Sequence, residues 1–138
     1  MYFLRKLKDF RVDSTILRLF YTSVVESVVV FGIVVWYKAL SSNDLKKMER
    51  VRKTAQRIIG LPVDGYETLY KHRLFSKVET ILKDCSHPLH DHYKLLPSGK
   101  RLRSVACKTK RHLTSFVPCS VSLCNDNTDI LNVLKLVM

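Results

Sequence analysis

The sequence predicts a mainly α protein, a small helical bundle followed by an extended basic arm. Three observations lead there. Polar residues recur at helical spacing inside long apolar stretches. Only four glycines and four prolines occur in 138 residues, few for an all-β chain. Seven basic residues and no acidic one lie between Lys94 and Arg111. Hydrophobic residues make up 46% of the chain, too many for a disordered basic tail.

The opening MYFLRKLKDF has an apolar edge of Tyr2, Phe3, Leu4 and Leu7 beside Arg5, Lys6 and Lys8. It reads as the end of a helix begun upstream, or as a short first helix. Residues 13–37 follow as a single helix. Its polar residues Arg18, Thr22, Ser23, Glu26 and Ser27 fall on one narrow stripe, so most of its circumference is expected to be buried. Asp13 or Ser14 supplies the N-cap. The run VVVFGIVVWY would also suit a strand; within a helix, Gly32 is a weak point or a close-packing site. Trp36, at the end of that run, is expected to be buried. The run is half the length of a membrane span, and Arg18 and Glu26 interrupt the stretch before it. Residues 41–60 form the clearest helix. Ser41 or Ser42 caps it, Asp44 and Glu49 lie in its early turns, and Gly60 and Pro62 stop it. Leu45, Met48, Val51, Ala55, Ile58 and Ile59 share its apolar face. A third helix, residues 67–83, buries Tyr70, Leu74, Val78, Ile81 and Leu82.

After Asp84 the texture changes to turn signals and cations. Phe116 and Val117 are expected to anchor the far end of the arm, and a last short helix follows Pro118. The apolar repeat of residues 126–138 suggests a weak terminal helix. The chain thus divides into a thumb-like bundle (residues 1–84), the basic arm with its short helix (85–125) and a tail (126–138).

The formal charge of +12 favours a polyanionic partner, nucleic acid before anionic membrane. On the 41–60 helix, Lys46, Arg50, Lys53 and Arg57 fall within about 60° of one another, opposite the apolar face. A solvated face can look alike, but only Asp44 and Glu49 offer neutralisation nearby. These four residues, with Lys100, Arg101, Arg103, Lys108, Lys110 and Arg111 on the arm, are the candidate nucleic-acid contacts. Cys85, Cys107, Cys119 and Cys124 contain no C-x-x-C pair, and the spacing in DCSHPLHDHY does not fit a standard zinc finger. Phosphate-loop, dinucleotide-binding, zinc-protease and nucleophile-elbow motifs are absent, and no adjacent Asp pair could hold two metal ions. No catalytic residue, metal or cofactor is assigned. No small-molecule substrate is expected, and the setting is intracellular.

Collinear stretches resemble the C-terminal end of the reverse transcriptase of LINE-type (non-LTR) retrotransposons. They include LRLFYTSVVESVVVFGIVVWY, DLKKMERVRKTAQRIIG, SHPLHDHYKLLPSGKRLRS and CKTKRHLTSFVP. The resemblance covers about residues 1–125. It implies a nucleic-acid-facing, thumb-like bundle just past a polymerase palm, without the family's catalytic aspartates. Cys85 and Cys119 depart from the family pattern. The same segment is similar to the N-terminal domain of AlkB homologue 8 proteins, which join an iron/2-oxoglutarate dioxygenase to a tRNA methyltransferase. That resemblance implies an accessory domain. An iron-binding H-x-D and a glycine-rich methyltransferase turn are both missing here.

Overall fold

The computed structural model describes residues 1–127 and 132. The expected tail helix lies almost wholly outside them. Among the described residues the chain is mainly helical, with one isolated antiparallel bridge between Leu95 and Leu102. It divides into two compact units, residues 1–33 with 40–70 and residues 34–39 with 71–138.

The first unit begins with α1 (Tyr2–Asp9). Its stop is a Schellman motif: Arg11 N–H donates to the Lys8 carbonyl (2.9 Å) and Val12 N–H to the Leu7 carbonyl (3.2 Å). Arg11 takes the left-handed conformation, φ 58°, where glycine is usual. Leu7 and Val12 both pack on the core, as this motif favours. Of the expected apolar edge only Leu4 is buried; Tyr2 and Phe3 are exposed.

The single helix expected over residues 13–37 is continuous from Ser14 to Val30 and breaks once, before Ile33. Asp13 caps α2 (Ser14–Phe20), its carboxylate accepting from Thr15 N–H at 2.8 Å. A π-helical turn covers Tyr21–Glu26 and leads into α3 (Ser27–Val30). Phe31 is then extended and Gly32 has φ 61°. Only glycine enters that region without steric cost, so Gly32 is the break. α4 (Ile33–Trp36) and a 3₁₀ turn (Tyr37–Ala39) follow. The burial expectation is also corrected. Leu17, Tyr21 and Ile33 are buried, but Ile16, Leu19, Val24, Val28 and Phe31 are exposed, Phe31 at 84%. A helix packed on one side buries one stripe only, whatever the composition of the rest. Trp36 is half-buried rather than buried.

α5 (Ser42–Ile59) matches its expected limits. Ser41 Oγ accepts from Asp44 N–H (3.2 Å) and donates to the Asp44 carboxylate (2.7 Å). Gly60, at φ 80°, closes the helix with its N–H on the Gln56 carbonyl. Leu4, Leu17, Tyr21, Ala55, Ile59 and Val63 form the core of this unit. Val51, expected inside, is 39% exposed. The inward stripe passes through Arg52 instead, because Arg52, Ala55 and Ile59 follow the i, i+3, i+7 repeat.

α6 (Tyr66–Lys83) runs from the first unit into the second. The five residues expected on its buried side are all at most 1% exposed. In the second unit, Asp84 opens a series of tight turns, its carboxylate accepting from Ser86 N–H (2.9 Å) and Oγ (2.6 Å). A 3₁₀ turn at His90–His92 leads to the bridge. α7 (Lys110–Leu113) is capped by Thr109, whose Oγ1 accepts from His112 N–H at 3.2 Å. α8 (Phe116–Asp126) starts before Pro118, not after it. Proline is tolerated in a first turn, where its missing N–H has no helical partner to lose. Among the described residues, Leu74, Val78, Ile81, Leu82, Tyr93, Leu102, Pro118, Val121 and Cys124 are buried in this unit. Tyr93 Oη and Ser120 Oγ are 2.7 Å apart, and Ser120 Oγ donates on to the Val117 carbonyl at 2.8 Å, so both buried hydroxyls have partners.

Candidate nucleic-acid interface

α5 places Lys46, Arg50, Lys53 and Arg57 together, all exposed. They line one shallow groove with Leu45, Glu49 and Thr54. The spacing of four, three and four residues keeps them over successive turns of one face. None of the four forms an ion pair among the described residues.

The two nearby carboxylates are each held first by another partner, although Glu49 also feels the charge of Lys53. Asp44 is held by Ser41 Oγ and by Lys47 Nζ at 3.4 Å. The hydrogen bonds from Ser41 and Lys47 draw its carboxyl below the usual carboxylate range. Glu49 is taken by Arg52. Arg52 Nε lies 3.0 and 2.9 Å from the two carboxylate oxygens, and Nη2 also contacts Oε1. That bond holds the Glu49 carboxyl below its usual range despite partial burial. Arg52 Nη1 donates to Gln56 Oε1 (3.0 Å) and to the Val63 carbonyl (2.7 Å). Arg52 thus ties the helix to the turn after it while consuming the stripe's only central anion. The sequence reading missed Arg52. The Glu–Arg pair at i, i+3 was a visible signal; the Val63 carbonyl, eleven residues away, was not.

The arm residues fall into two groups. Residues 94–103 fold back as a hairpin rather than running as an arm. Lys100, Arg101 and Arg103 are exposed on it. Lys108, Lys110 and Arg111 are exposed too, the last two on α7. Phe116 and Val117 are both half-buried.

Among the described residues no three His, Cys, Asp or Glu side chains converge as metal ligands. His87 Nδ1 already accepts from Leu89 N–H at 3.1 Å. The described residues do not offer the donor set of a dioxygenase iron centre. No single described helix is long and apolar enough to cross a membrane; Ser14–Val30 with Ile33–Ala39 would suit a broken span by length and composition only.

Residues 1–27 match a family model described as alkylated DNA repair protein alkB homolog 8, N-terminal. The similarity is confined to this opening segment. The matched part holds α1, α2, the π-helical turn and Ser27, the first residue of α3, and ends before α5. No curated protein and no solved structure gives a significant match, so none of the matches involves a reverse transcriptase.

Proposed function

We propose that this chain is a binding module without chemistry of its own, gripping a nucleic-acid backbone through α5. One observation carries the reading: four cations share an exposed face while Asp44 and Glu49 are engaged by other partners. Three helical turns span about 16 Å, comparable with several phosphates at about 3.4 Å per strand. Such contacts position RNA or DNA and carry little sequence information.

The deciding experiment changes Lys46, Arg50, Lys53 and Arg57 to Gln together. Gln is a good helix former and the four side chains are exposed, so the fold should hold. Affinity for oligonucleotides should fall alike for all sequences, and the slope of log K against log salt should shrink by roughly three to four on duplex DNA. A folded variant that keeps affinity and slope would make the stripe a solvated face.

The match over residues 1–27 favours an accessory role beside an alkylation-repair or tRNA-modification enzyme. A second reading, a retrotransposon reverse-transcriptase remnant, rests on the collinear SHPLH, LLPSGKR and SFVP stretches. Flanking genomic sequence separates them: a dioxygenase domain encoded downstream supports the first, a polymerase palm upstream the second.

A further inference from the structure

The hairpin at residues 94–103 is a cationic ribbon held by one side chain outside it. Leu96 N–H donates to the Arg101 carbonyl and Arg103 N–H to the Lys94 carbonyl, both at 2.8 Å. That pattern makes Leu95 and Leu102 the close, non-hydrogen-bonded pair. Because side chains alternate along a strand, Lys94, Leu96, Arg101 and Arg103 share the other face. Leu102 is fully buried while Lys94, Arg101 and Arg103 are exposed. Gly99 at φ 65° closes the turn, its N–H on the Leu96 carbonyl at 2.8 Å, with Lys100 at the tip. On α8, Asn125 takes the place of a third strand. Its Oδ1 accepts from Leu102 N–H (2.8 Å) and its Nδ2 donates to the Leu102 carbonyl (3.1 Å).

Lys94 stands directly opposite Arg103, a like-charge pairing that weakens a hairpin. Asp91 relieves Lys94 at 3.1 Å. Lys100, Arg101 and Arg103 have no ion-pair partner among the described residues. We infer that this hairpin is a second docking surface for a nucleic-acid backbone, with Asn125 its positioning residue. The inference rests on the reading of the chain as a nucleic-acid binder but not on α5. Side chains two residues apart on a strand are about 6.8 Å apart, two strand rises of 3.4 Å. An anionic bilayer would want an apolar face beside the cations, and Leu96, 39% exposed, is the one apolar side chain on this face.

The test uses the full chain, fluorescein-labelled 20-nucleotide single strands and duplexes, and phosphatidylserine vesicles. Changing Lys100, Arg101 and Arg103 to Gln should leave helical circular dichroism unchanged and lower the salt slope on duplex by roughly two to three. Asn125→Leu removes both bonds to Leu102 without altering net charge. It should speed amide exchange at Leu102, weaken oligonucleotide binding and reduce the salt slope. If the triple variant keeps affinity and slope while the α5 variant loses them, the hairpin proposal falls and the α5 reading stands. If the wild-type chain binds no oligonucleotide, or only vesicles, both fall. If Asn125→Leu frees the Leu102 amide yet binds with an unchanged slope, Asn125 has no positioning role.

Discussion

Arg52 makes five hydrogen bonds from one guanidinium, to Glu49, Gln56 and the Val63 carbonyl. Its planar fork matches a carboxylate edge, and an ammonium cannot reproduce that geometry. Arg52→Lys should therefore recover little of what Arg52→Ala loses. The alanine variant leaves a half-buried carbonyl and carboxylate unpaired and should cost about 2–3 kcal/mol. Urea denaturation of both variants measures this, and a cost below about 0.5 kcal/mol would remove Arg52 as the tie. Arg11 makes the opposite case. A left-handed φ costs a side-chain-bearing residue about 1 kcal/mol, so Arg11→Gly should raise stability slightly if the Schellman turn is kept. Thermal unfolding reads the sign.

Buried groups set an alkaline limit, again at single residues: burial raises Tyr21 and Tyr66 as well as Tyr93 and Cys124. Burial pushes the Tyr93 hydroxyl from its ordinary 10.0 up to about 12, and the Cys124 thiol from 9.0 up to about 12. Both are neutral when folded, and the unfolded chain gives up its protons first. Their contribution is complete below pH 9 and is lost as pH rises through 12. Labelling with a disulfide-exchange thiol reagent should modify Cys85, which is exposed, in the folded chain, and Cys124, which is buried, only on unfolding. Equal reactivity of the two would contradict the packing around α8.

At the scale of elements, the segment after Asp13 separates composition from packing. Its apolar content predicts a helix buried over most of its circumference. Instead Gly32 breaks it, and the continuous helix before the break leaves Ile16, Leu19, Val28 and neighbouring Phe31 in solvent. Such side chains bind hydrophobic dyes. The chain should enhance the fluorescence of an anilinonaphthalene probe in its folded state, and Val28→Ser with Phe31→Ser should reduce that signal without loss of helix. An unchanged signal would place the dye elsewhere. α5 behaves as its pattern requires, because both its ends carry local stop signals. Ser41→Ala removes a cap and should cost about 1 kcal/mol, readable in chemical denaturation.

At the scale of the whole molecule, each unit pairs a modest core with an exposed cationic element. The first carries the α5 stripe and the second the hairpin. Charge was legible from composition, since 24 Lys and Arg face 12 Asp and Glu. Which cations stay uncompensated was not, because that depends on where Glu49, Asp44 and Asp91 point. The sequence by itself determined the mainly α class, the limits of α5 and the buried side of α6. These depend on caps, stops and the 3.6-residue repeat, which act within a few residues. Gly32 was legible as a weak point, and only the tertiary structure decided the exposed apolar face before it and the hairpin in place of an arm. A stripe is buried only if another element covers it. The Arg52–Val63 tie spans eleven residues and the Asn125 clamp on Leu102 twenty-three. No local pattern encodes a partner at that separation; it exists only once the chain has folded back on itself.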